Sequence, residues 1–242
     1  MPQRSVDFPR RIVCLTDETT EVLFLLGEQD RIVGVSGYAT RPPEARRKPR
    51  VSAFKNAKFD AILALKPDLV LTFSDVQAEI TRQLVLRGVT VLNFNQRSIA
   101  QILDMIAVLA RLVGKQREGQ ALVESLQRGL RAIDASAQSF PHRPRVFFEE
   151  WKDPLISGIR WVEELVEIAG GDVTGGGGLP DADAPPPQAA VQNKLEAITK
   201  DKDTQRGSIQ KAGASRSSFF LLLVTVWHFI VLHLRFNVHL AI

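Results

Sequence analysis

The segment Phe59-Asp-Ala-Ile-Leu-Ala-Leu-Lys-Pro-Asp-Leu-Val-Leu-Thr72 contains a complete helix-to-strand transition. Its first part, up to Lys66, has the apolar spacing of a short helix, and Pro67 ends that helix because proline has no backbone N–H donor. The residues from Asp68 onward are almost continuously apolar, as in strands buried on both faces of a parallel sheet. The segment therefore predicts a parallel sheet covered by helices.

The same alternation of strands and helices continues from Arg11 to Gly114 and predicts an N-terminal α/β lobe over residues 1–114. Gly27, Gly88 and Gly114 each end one of the helices, and a Ser98/Gln101 capping box begins the last one. Pro42, Pro43 and the basic residues after them predict an exposed loop. The pattern predicts strands at 11–15, 31–35, 68–72 and 89–93, and helices at 19–26, 59–66, 76–87 and 98–113.

A proline-free stretch from Lys115 to Ala137 predicts one bridging helix, over residues 115–138. At 1.5 Å per residue it would span roughly 35 Å, which is long for a globular protein. Residues 139–173 then resemble the start of a second α/β lobe, with a strand at 145–148, a loop at 149–159 and a helix at 161–169. A weak repeat relates this part to the first lobe, so we expect two similar lobes joined by a rod.

After Val173 the composition changes abruptly. Residues 174–218 are a Gly/Pro-rich and polar linker that lacks the apolar content of a core, and residues 219–242 form a hydrophobic tail of uncertain status. The apolar run 219–234 is short for a membrane span, and it is interpreted as an anchor, as a buried element or, preferably, as a tail unrelated to the fold. The predicted fold class is therefore α/β, with two Rossmann-like lobes bridged by one long helix and an incomplete second lobe.

Composition excludes several classes of protein. Of the 242 residues, 45% are hydrophobic and 24% are charged, which are ordinary values for a globular chain. The net charge, 31 − 27 = +4, gives no reason to expect a nucleic-acid partner. The single cysteine, Cys14, excludes an internal disulfide and a thiolate metal cluster. The apolar segment after Arg10 is too short for a signal peptide, so no export signal is expected and the localisation is undetermined.

The sequence offers no catalytic constellation. The four histidines lie outside the first lobe, and none has a serine, cysteine or acidic partner at useful spacing. Gly175–Gly178 lacks the Lys-Ser/Thr of a phosphate loop. Glu149 and Glu150 are adjacent at a predicted strand end, where alternation directs them to opposite faces. We therefore predict a non-enzyme with no catalytic residues, no metal site and no cofactor.

Aromatic residues, in contrast, recur in the loops that follow the predicted strands, where open α/β sheets bind their ligands. Each of them alone is more often an edge-of-core residue. Together, and from both lobes, they predict a cleft for a large, flat, apolar ligand. The candidate ligand-binding residues are Tyr38, Phe54, Phe73, Ser74, Trp151 and Pro154.

Five short motifs, in chain order, resemble those of one known family: Arg31-Ile-Val-Gly-Val-Ser-Gly-Tyr38, Pro42-Pro43, Val51-Ser52, Ile62-Leu-Ala-Leu-Lys-Pro-Asp-Leu-Val70 and Leu86-Arg-Gly-Val-Thr-Val91. They are similar to the periplasmic cobalamin-binding proteins, which belong to the helical-backbone class of ABC-transporter substrate-binding proteins. Relatives in this class bind siderophores and haem. The resemblance extends over about residues 11–173, and Leu-Lys-Pro-Asp-Leu-Val is its most specific part.

The resemblance implies that a corrinoid, cobalamin or a relative, is held between two lobes as a transported ligand. Tyr38 and Phe54, the latter where a tryptophan is usual, match aromatic positions of the family, and Trp151 occupies the equivalent loop of the second lobe. Family members dock on an ABC permease through an acidic residue on each lobe, and Asp60 matches the residue of the first lobe. The expected partners are therefore a corrinoid and a permease.

Other functions stay open at this point. A siderophore or haem binder of the same class is one alternative, although apart from Arg97 few basic residues are candidates for a siderophore site. A membrane-tethered interaction module, associated through 219–234 and without transport activity, is another. An enzyme that acts on corrinoids is the third.

Overall fold

The computed structural model of the protein describes residues 9–146, 149–152, 155–157 and 159–173, with the backbone alone at 149–152 and 155–157. The chain divides into two compact units. Of the described residues, the first contains 9–96 and 100–126, and the second contains 97–99 and those from 127 to 173.

A five-stranded parallel sheet forms the centre of the first unit, with the strand order β3-β2-β1-β4-β5. Every strand pair is parallel, which confirms the α/β fold class that the sequence predicts. The strands are β1 (Ile12–Cys14), β2 (Ile32–Ser36), β3 (Arg50–Ser52), β4 (Leu69–Phe73) and β5 (Val91–Phe94).

Helices cover both faces of this sheet. Side chains alternate along β1: Ile12 and Cys14 belong to one buried cluster and Val13 to the other. The first cluster includes residues of α1 and α4, and the second includes residues of α2 and α3, so β1 is buried on both sides. The helices are α1 (Asp17–Leu25), α2 (Phe59–Ala64), α3 (Ala78–Leu86), α4 (Ile99–Leu112) and α5 (Gln116–Ala137).

The structure corrects the sequence prediction in the part before α2. The sheet has five strands rather than four, because β3 pairs with β2 although it is only three residues long. So short a strand shows no alternation that a sequence pattern could detect. The predicted loop after Pro42 contains a 3₁₀ helix, Pro43–Arg47, because the fixed φ of proline suits a first helical turn.

The prediction of one long helix is confirmed by α5, which is 22 residues long and spans about 33 Å. Leu122 and Leu126, in its first half, pack against the core of the first unit. Leu130 and Ile133, in its second half, pack against the core of the second unit. One amphipathic helix therefore supplies apolar side chains to two separate cores.

The second unit contains a β-α-β segment of its own, in which β6 (Arg145–Val146) pairs in parallel with β9 (Asp172–Val173). Helix α6 (Arg160–Ile168) lies between them in the chain, and Leu165 and Ala169 form its buried cluster. The predicted loop at 149–159 is wrong, because β7 (Glu149–Lys152) and β8 (Leu155–Ser157) pair there as an antiparallel hairpin. Strand β9 was also not predicted.

The predicted linker at 174–218, the tail at 219–242 and the incompleteness of the second lobe lie outside the described residues. Within the part of the chain that the structure describes, none of the helices has both the length and the apolar character needed to cross a bilayer.

Candidate functional site

The carboxyl ends of the five parallel strands of the first unit lie at one edge of the sheet. From β1 the chain proceeds to β2 and β3 on one side, and then returns to β4 and β5 on the other. Open α/β sheets bind ligands outside the carboxyl ends of the strands where the strand order reverses in this way. The reversal lies between β1 and β4, so we take this carboxyl edge as the candidate site.

Asp17 lies at this edge, three residues after the end of β1, as the first residue of α1. The pKa of its carboxyl group is raised to about 7, chiefly by burial, with a smaller increase from the neighbouring Glu18 and Glu21 that Arg41 partly offsets. The guanidinium Nη2 of Arg41 lies 3.6 Å from the Oε2 atom of Glu21. The edge therefore carries a carboxyl group that is a much weaker acid than an ordinary aspartate. Asp17 carries no signal in the sequence pattern, because its burial depends on tertiary packing.

The structure brings the three predicted aromatic residues of the first lobe to this same edge. Tyr38 follows β2 and is 59% exposed, while Phe54, after β3, and Phe73, the last residue of β4, are half-buried. The Tyr38 backbone N–H donates to the Oγ atom of Ser36 at 3.2 Å, which fixes the turn that presents its side chain. Partly exposed aromatic rings on a rigid edge suit a flat apolar ligand.

Ser74, also predicted to bind the ligand, is 2% exposed and has a clear local role. Its N–H donates to the carbonyl oxygen of Phe94 at 2.7 Å, and its Oγ accepts a hydrogen bond from the N–H of Val76 at 3.2 Å. Ser74 is thus the N-cap of a 3₁₀ helix, Asp75–Gln77. A role for Ser74 in ligand binding stays a prediction.

Gln77, which the sequence analysis missed, is fully buried behind the aromatic edge. Its side-chain amide bonds to the backbone of Leu15, Phe54 and Phe73, at distances of 3.0–3.2 Å. A signal existed in the Ser74-x-x-Gln77 spacing, which is that of a capping box. Here the Gln77 Oε1 atom accepts from the N–H of Phe73, one residue before the cap, instead of from the cap itself.

Three predicted site residues remain: Trp151, Pro154 and Asp60. Trp151 lies in β7 of the second unit rather than in a loop, and its side chain lies outside the described residues, as does Pro154. Asp60, the predicted docking residue, is exposed on the first turn of α2. The binding roles of these residues stay predictions.

Two kinds of reactive group are relevant near this site, a thiol nucleophile and a metal-ligand cluster. Cys14 is completely buried in β1, and desolvation raises the pKa of its thiol to about 12, so it is neither a nucleophile nor a metal ligand at neutral pH. In the described ranges, no three or more His, Cys, Asp or Glu side chains form a group that could hold a metal ion.

Comparison with known proteins identifies the class to which this fold and edge correspond. The family described as periplasmic binding protein matches residues 12–187, and the chain belongs to this family. The family consists of substrate-binding proteins, which are non-enzymatic components of transport. The resemblance to cobalamin-binding members is also confirmed by the relatives described next.

Two of the similar proteins are named for corrinoid binding. The vitamin B12-binding protein of Vibrio cholerae is 27% identical over 194 residues, which are 78% of this chain and 68% of the relative. The cobalamin-binding protein of Halobacterium salinarum is 29% identical over 167 residues, which are 67% of this chain and 45% of the relative. An ABC transporter substrate-binding lipoprotein of Bacillus subtilis is 30% identical over 61% of this chain, and the chain spans about half the length of that relative, 49%.

Solved structures show the same fold with more than one ligand class. The crystal structure of the periplasmic vitamin B12 binding protein of Vibrio cholerae is 25% identical with a TM-score of 0.62, and the match covers 77% of this chain and 72% of the other. A periplasmic heme-binding protein from Roseiflexus is also 25% identical, with a TM-score of 0.61 and coverage of 69% and 66%. The fold alone is therefore compatible with a corrinoid or with haem.

Proposed function

We propose that this chain binds a corrinoid, with cobalamin as the expected ligand, and acts as the substrate-binding component of an ABC transporter. The observation that carries the proposal is the placement of Tyr38, Phe54 and Phe73 at one carboxyl edge of a parallel sheet. Relatives named as vitamin B12-binding and cobalamin-binding proteins support the choice of ligand. The corrinoid would be cargo rather than a cofactor.

Aromatic stacking supplies the physical basis. A ring stacked on a flat macrocycle contributes about 0.5–1.5 kcal/mol beyond the area that it buries, which corresponds to about 2- to 10-fold in affinity. Tyr38, with more than half of its surface exposed, would contact the ligand without rearrangement. Ser74, Trp151 and Pro154 stay predicted ligand-binding residues within this proposal.

The direct test is a titration of the full chain with cobalamin, followed by corrin absorbance and tryptophan fluorescence. We expect saturation with a dissociation constant below about 10 µM, and Tyr38→Ala is expected to weaken binding by about 3- to 10-fold. Leu86→Ala is the matched control, because Leu86 is similarly exposed, at 67%, but lies at the last residue of α3, away from the carboxyl edge. Absence of binding at tens of micromolar overturns the proposal.

Haem is the second candidate ligand, because a heme-binding protein shares the fold at 25% identity. The same titration is repeated with haem and with a ferric siderophore, each in competition with cobalamin. If haem displaces cobalamin when haem is present at the lower concentration, haem becomes the proposed ligand in place of a corrinoid.

Docking to the permease is proposed to use Asp60, whose carboxylate is exposed on α2. Asp60→Lys reverses the charge there, and we expect it to reduce binding to a cobalamin permease in lipid nanodiscs while cobalamin affinity is unchanged. Asp30→Lys makes the same charge change at an exposed residue before β2, at the opposite edge of the sheet. Equal loss in the two variants would show that overall charge, rather than Asp60, determines docking.

A further inference from the structure

Gln77 is the one fully buried amide side chain among the described residues that lie at the candidate site. It ends the 3₁₀ helix between β4 and α3. A buried amide is costly unless its donors and acceptor are paired, so its partners indicate why it is there.

Its three hydrogen bonds fix the orientation of the amide. The Oε1 atom accepts from the N–H of Phe73 at 3.0 Å, while Nε2 donates to the carbonyl oxygens of Leu15 at 3.2 Å and Phe54 at 3.0 Å. The opposite orientation would place Nε2 against an N–H and Oε1 against two carbonyl oxygens. Both N–H donors and the carbonyl acceptor of the Gln77 amide are therefore hydrogen-bonded, each to a different backbone group.

Leu15 and β4 are already joined here, because the Leu15 N–H donates to the carbonyl oxygen of Leu71 at 2.9 Å, but strand pairing joins the Phe54 loop to neither of them. Leu15 follows β1, Phe54 follows β3 and Phe73 ends β4, and in the sheet β3 is separated from β4 by β2 and β1. No ladder of backbone hydrogen bonds can therefore link the Phe54 loop to Phe73. Gln77 makes that link directly, between two of the three aromatic residues of the edge.

We propose that Gln77 is a positioning residue of the ligand site, which holds the Phe54 loop in register with Phe73 so that their rings present one preformed surface. This inference rests on the proposed function and specifies how the edge is organised for a flat ligand. A preformed surface binds more tightly because less side-chain and loop ordering remains to be done on binding.

The test compares Gln77→Met with Thr81→Val. The Met side chain has nearly the volume of Gln but makes none of the three hydrogen bonds. Thr81 provides a control close by in the chain, because its hydroxyl pairs with that of Thr72 at 2.9 Å and so joins α3 to β4, whereas the bonds of Gln77 join β4 to the backbone of Leu15 and of Phe54. Both variants lose side-chain hydrogen bonds, but only Gln77→Met removes the link between the Phe54 loop and Phe73.

At a temperature where both variants are folded, we expect Gln77→Met to weaken cobalamin binding by about 10-fold, while Thr81→Val binds as the wild type does. Amide exchange in residues 53–58 should accelerate by at least about 10-fold in Gln77→Met only. If Gln77→Met does not fold, Gln77→Asn replaces it, because Asn keeps the amide but is one methylene shorter and cannot reach all three backbone partners.

Wild-type affinity in Gln77→Met, or equal loss of affinity in Gln77→Met and Thr81→Val, overturns the positioning role. If the wild type itself binds neither cobalamin nor haem, the proposed function fails, and the exchange experiment then decides the role of Gln77 separately. Unchanged exchange in residues 53–58 would overturn that role without any ligand.

Discussion

The first unit and the second each contain a β-α-β segment with parallel strands, β1-α1-β2 and β6-α6-β9, but the two are built differently at both ends of the helix. In the first, α1 begins three residues after β1 ends. In the second, a whole antiparallel hairpin, β7-β8, stands between β6 and α6. The two segments share one topology, but β1 is followed closely by its helix, whereas β6 is followed by an inserted hairpin.

The helix ends differ as well. Gly27 and Gly170 end α1 and α6 with φ values of +74° and +83°, a backbone conformation that L residues with a Cβ rarely adopt. A Cβ atom on Gly27 would meet nothing within 4 Å, whereas one on Gly170 would lie 2.9 Å from both the Ala137 Cβ and a Phe140 ring carbon. Backbone conformation requires glycine at both positions, but packing requires it only in the second unit.

Gly170→Ala is the change from which we expect the largest effect. The left-handed conformation and the close contacts with Ala137 and Phe140 together should lower the free energy of unfolding of the second unit by about 2–4 kcal/mol. Chemical denaturation followed by Trp161 fluorescence measures it, because Trp161 packs in the core of that unit. If Gly170→Ala lowers the free energy of unfolding no more than Gly27→Ala does, the close contacts at Gly170 do not affect stability.

Asp17→Asn addresses the start of α1 and gives a pH-dependent effect. The folded pKa of Asp17, about 7, is above the ordinary value of 3.8, so its contribution to stability is present below about pH 4 and is lost as the pH rises through 7. We therefore expect Asp17→Asn to stabilise the protein by about 1–3 kcal/mol at pH 8 and to change little at pH 3.

Thermal denaturation at both pH values measures the effect, and Glu79→Gln is its control. The pKa of Glu79 is lowered to about 2 by its hydrogen bonds to Arg82 and Gln83, on an exposed surface, so its replacement should give no gain at pH 8. A gain for Asp17→Asn that is the same at pH 3 and pH 8 would contradict the assignment of the raised pKa.

Gly27→Ala is expected to cost about 1 kcal/mol, because only the left-handed conformation opposes the new methyl group. Denaturation midpoints of this variant and of Gly170→Ala, taken under the same conditions, give the packing contribution as their difference. Stabilisation by Gly27→Ala would mean that the turn after α1 relaxes to a conformation suited to alanine.

The smallest effect is expected from Glu163→Gln, the counterpart of Asp17 in the first turn of α6. Desolvation raises the pKa of Glu163, and its Oε1 atom is buried and has no hydrogen-bond partner among the described residues. Its charge thus opposes folding as the pH rises, so Glu163→Gln should stabilise the protein by a few tenths of a kcal/mol at pH 8 and by less at pH 4. Greater stabilisation at pH 4 than at pH 8 would reverse this interpretation.

The sequence predicted the first unit well where the physical signal is local. The continuous apolar run at Asp68–Thr72 predicted β4, observed at Leu69–Phe73, because a strand covered on both faces has few polar residues. Helix α5 was predicted because 22 residues of helical spacing contain no proline. The glycines predicted to end helices in this unit, Gly27, Gly88 and Gly114, all have positive φ values.

Where the signal is not local, sequence patterns were insufficient. Strand β3 is three residues long and is stabilised by pairing with β2, and the β7-β8 hairpin was predicted as a loop. The raised pKa of Asp17 results from burial by the surrounding structure.

By itself, the sequence determined the class of fold, the boundaries of the long helix and the aromatic residues that follow the strands, because hydrophobic period, proline and glycine act over a few neighbouring residues. Only the tertiary structure decided the strand order and joined Gln77 to Leu15 and Phe54, which are 62 and 23 residues away in the chain. Such contacts depend on which distant segments the packed sheet brings within about 3 Å of one another, a distance that hydrogen bonding requires and that no local pattern encodes.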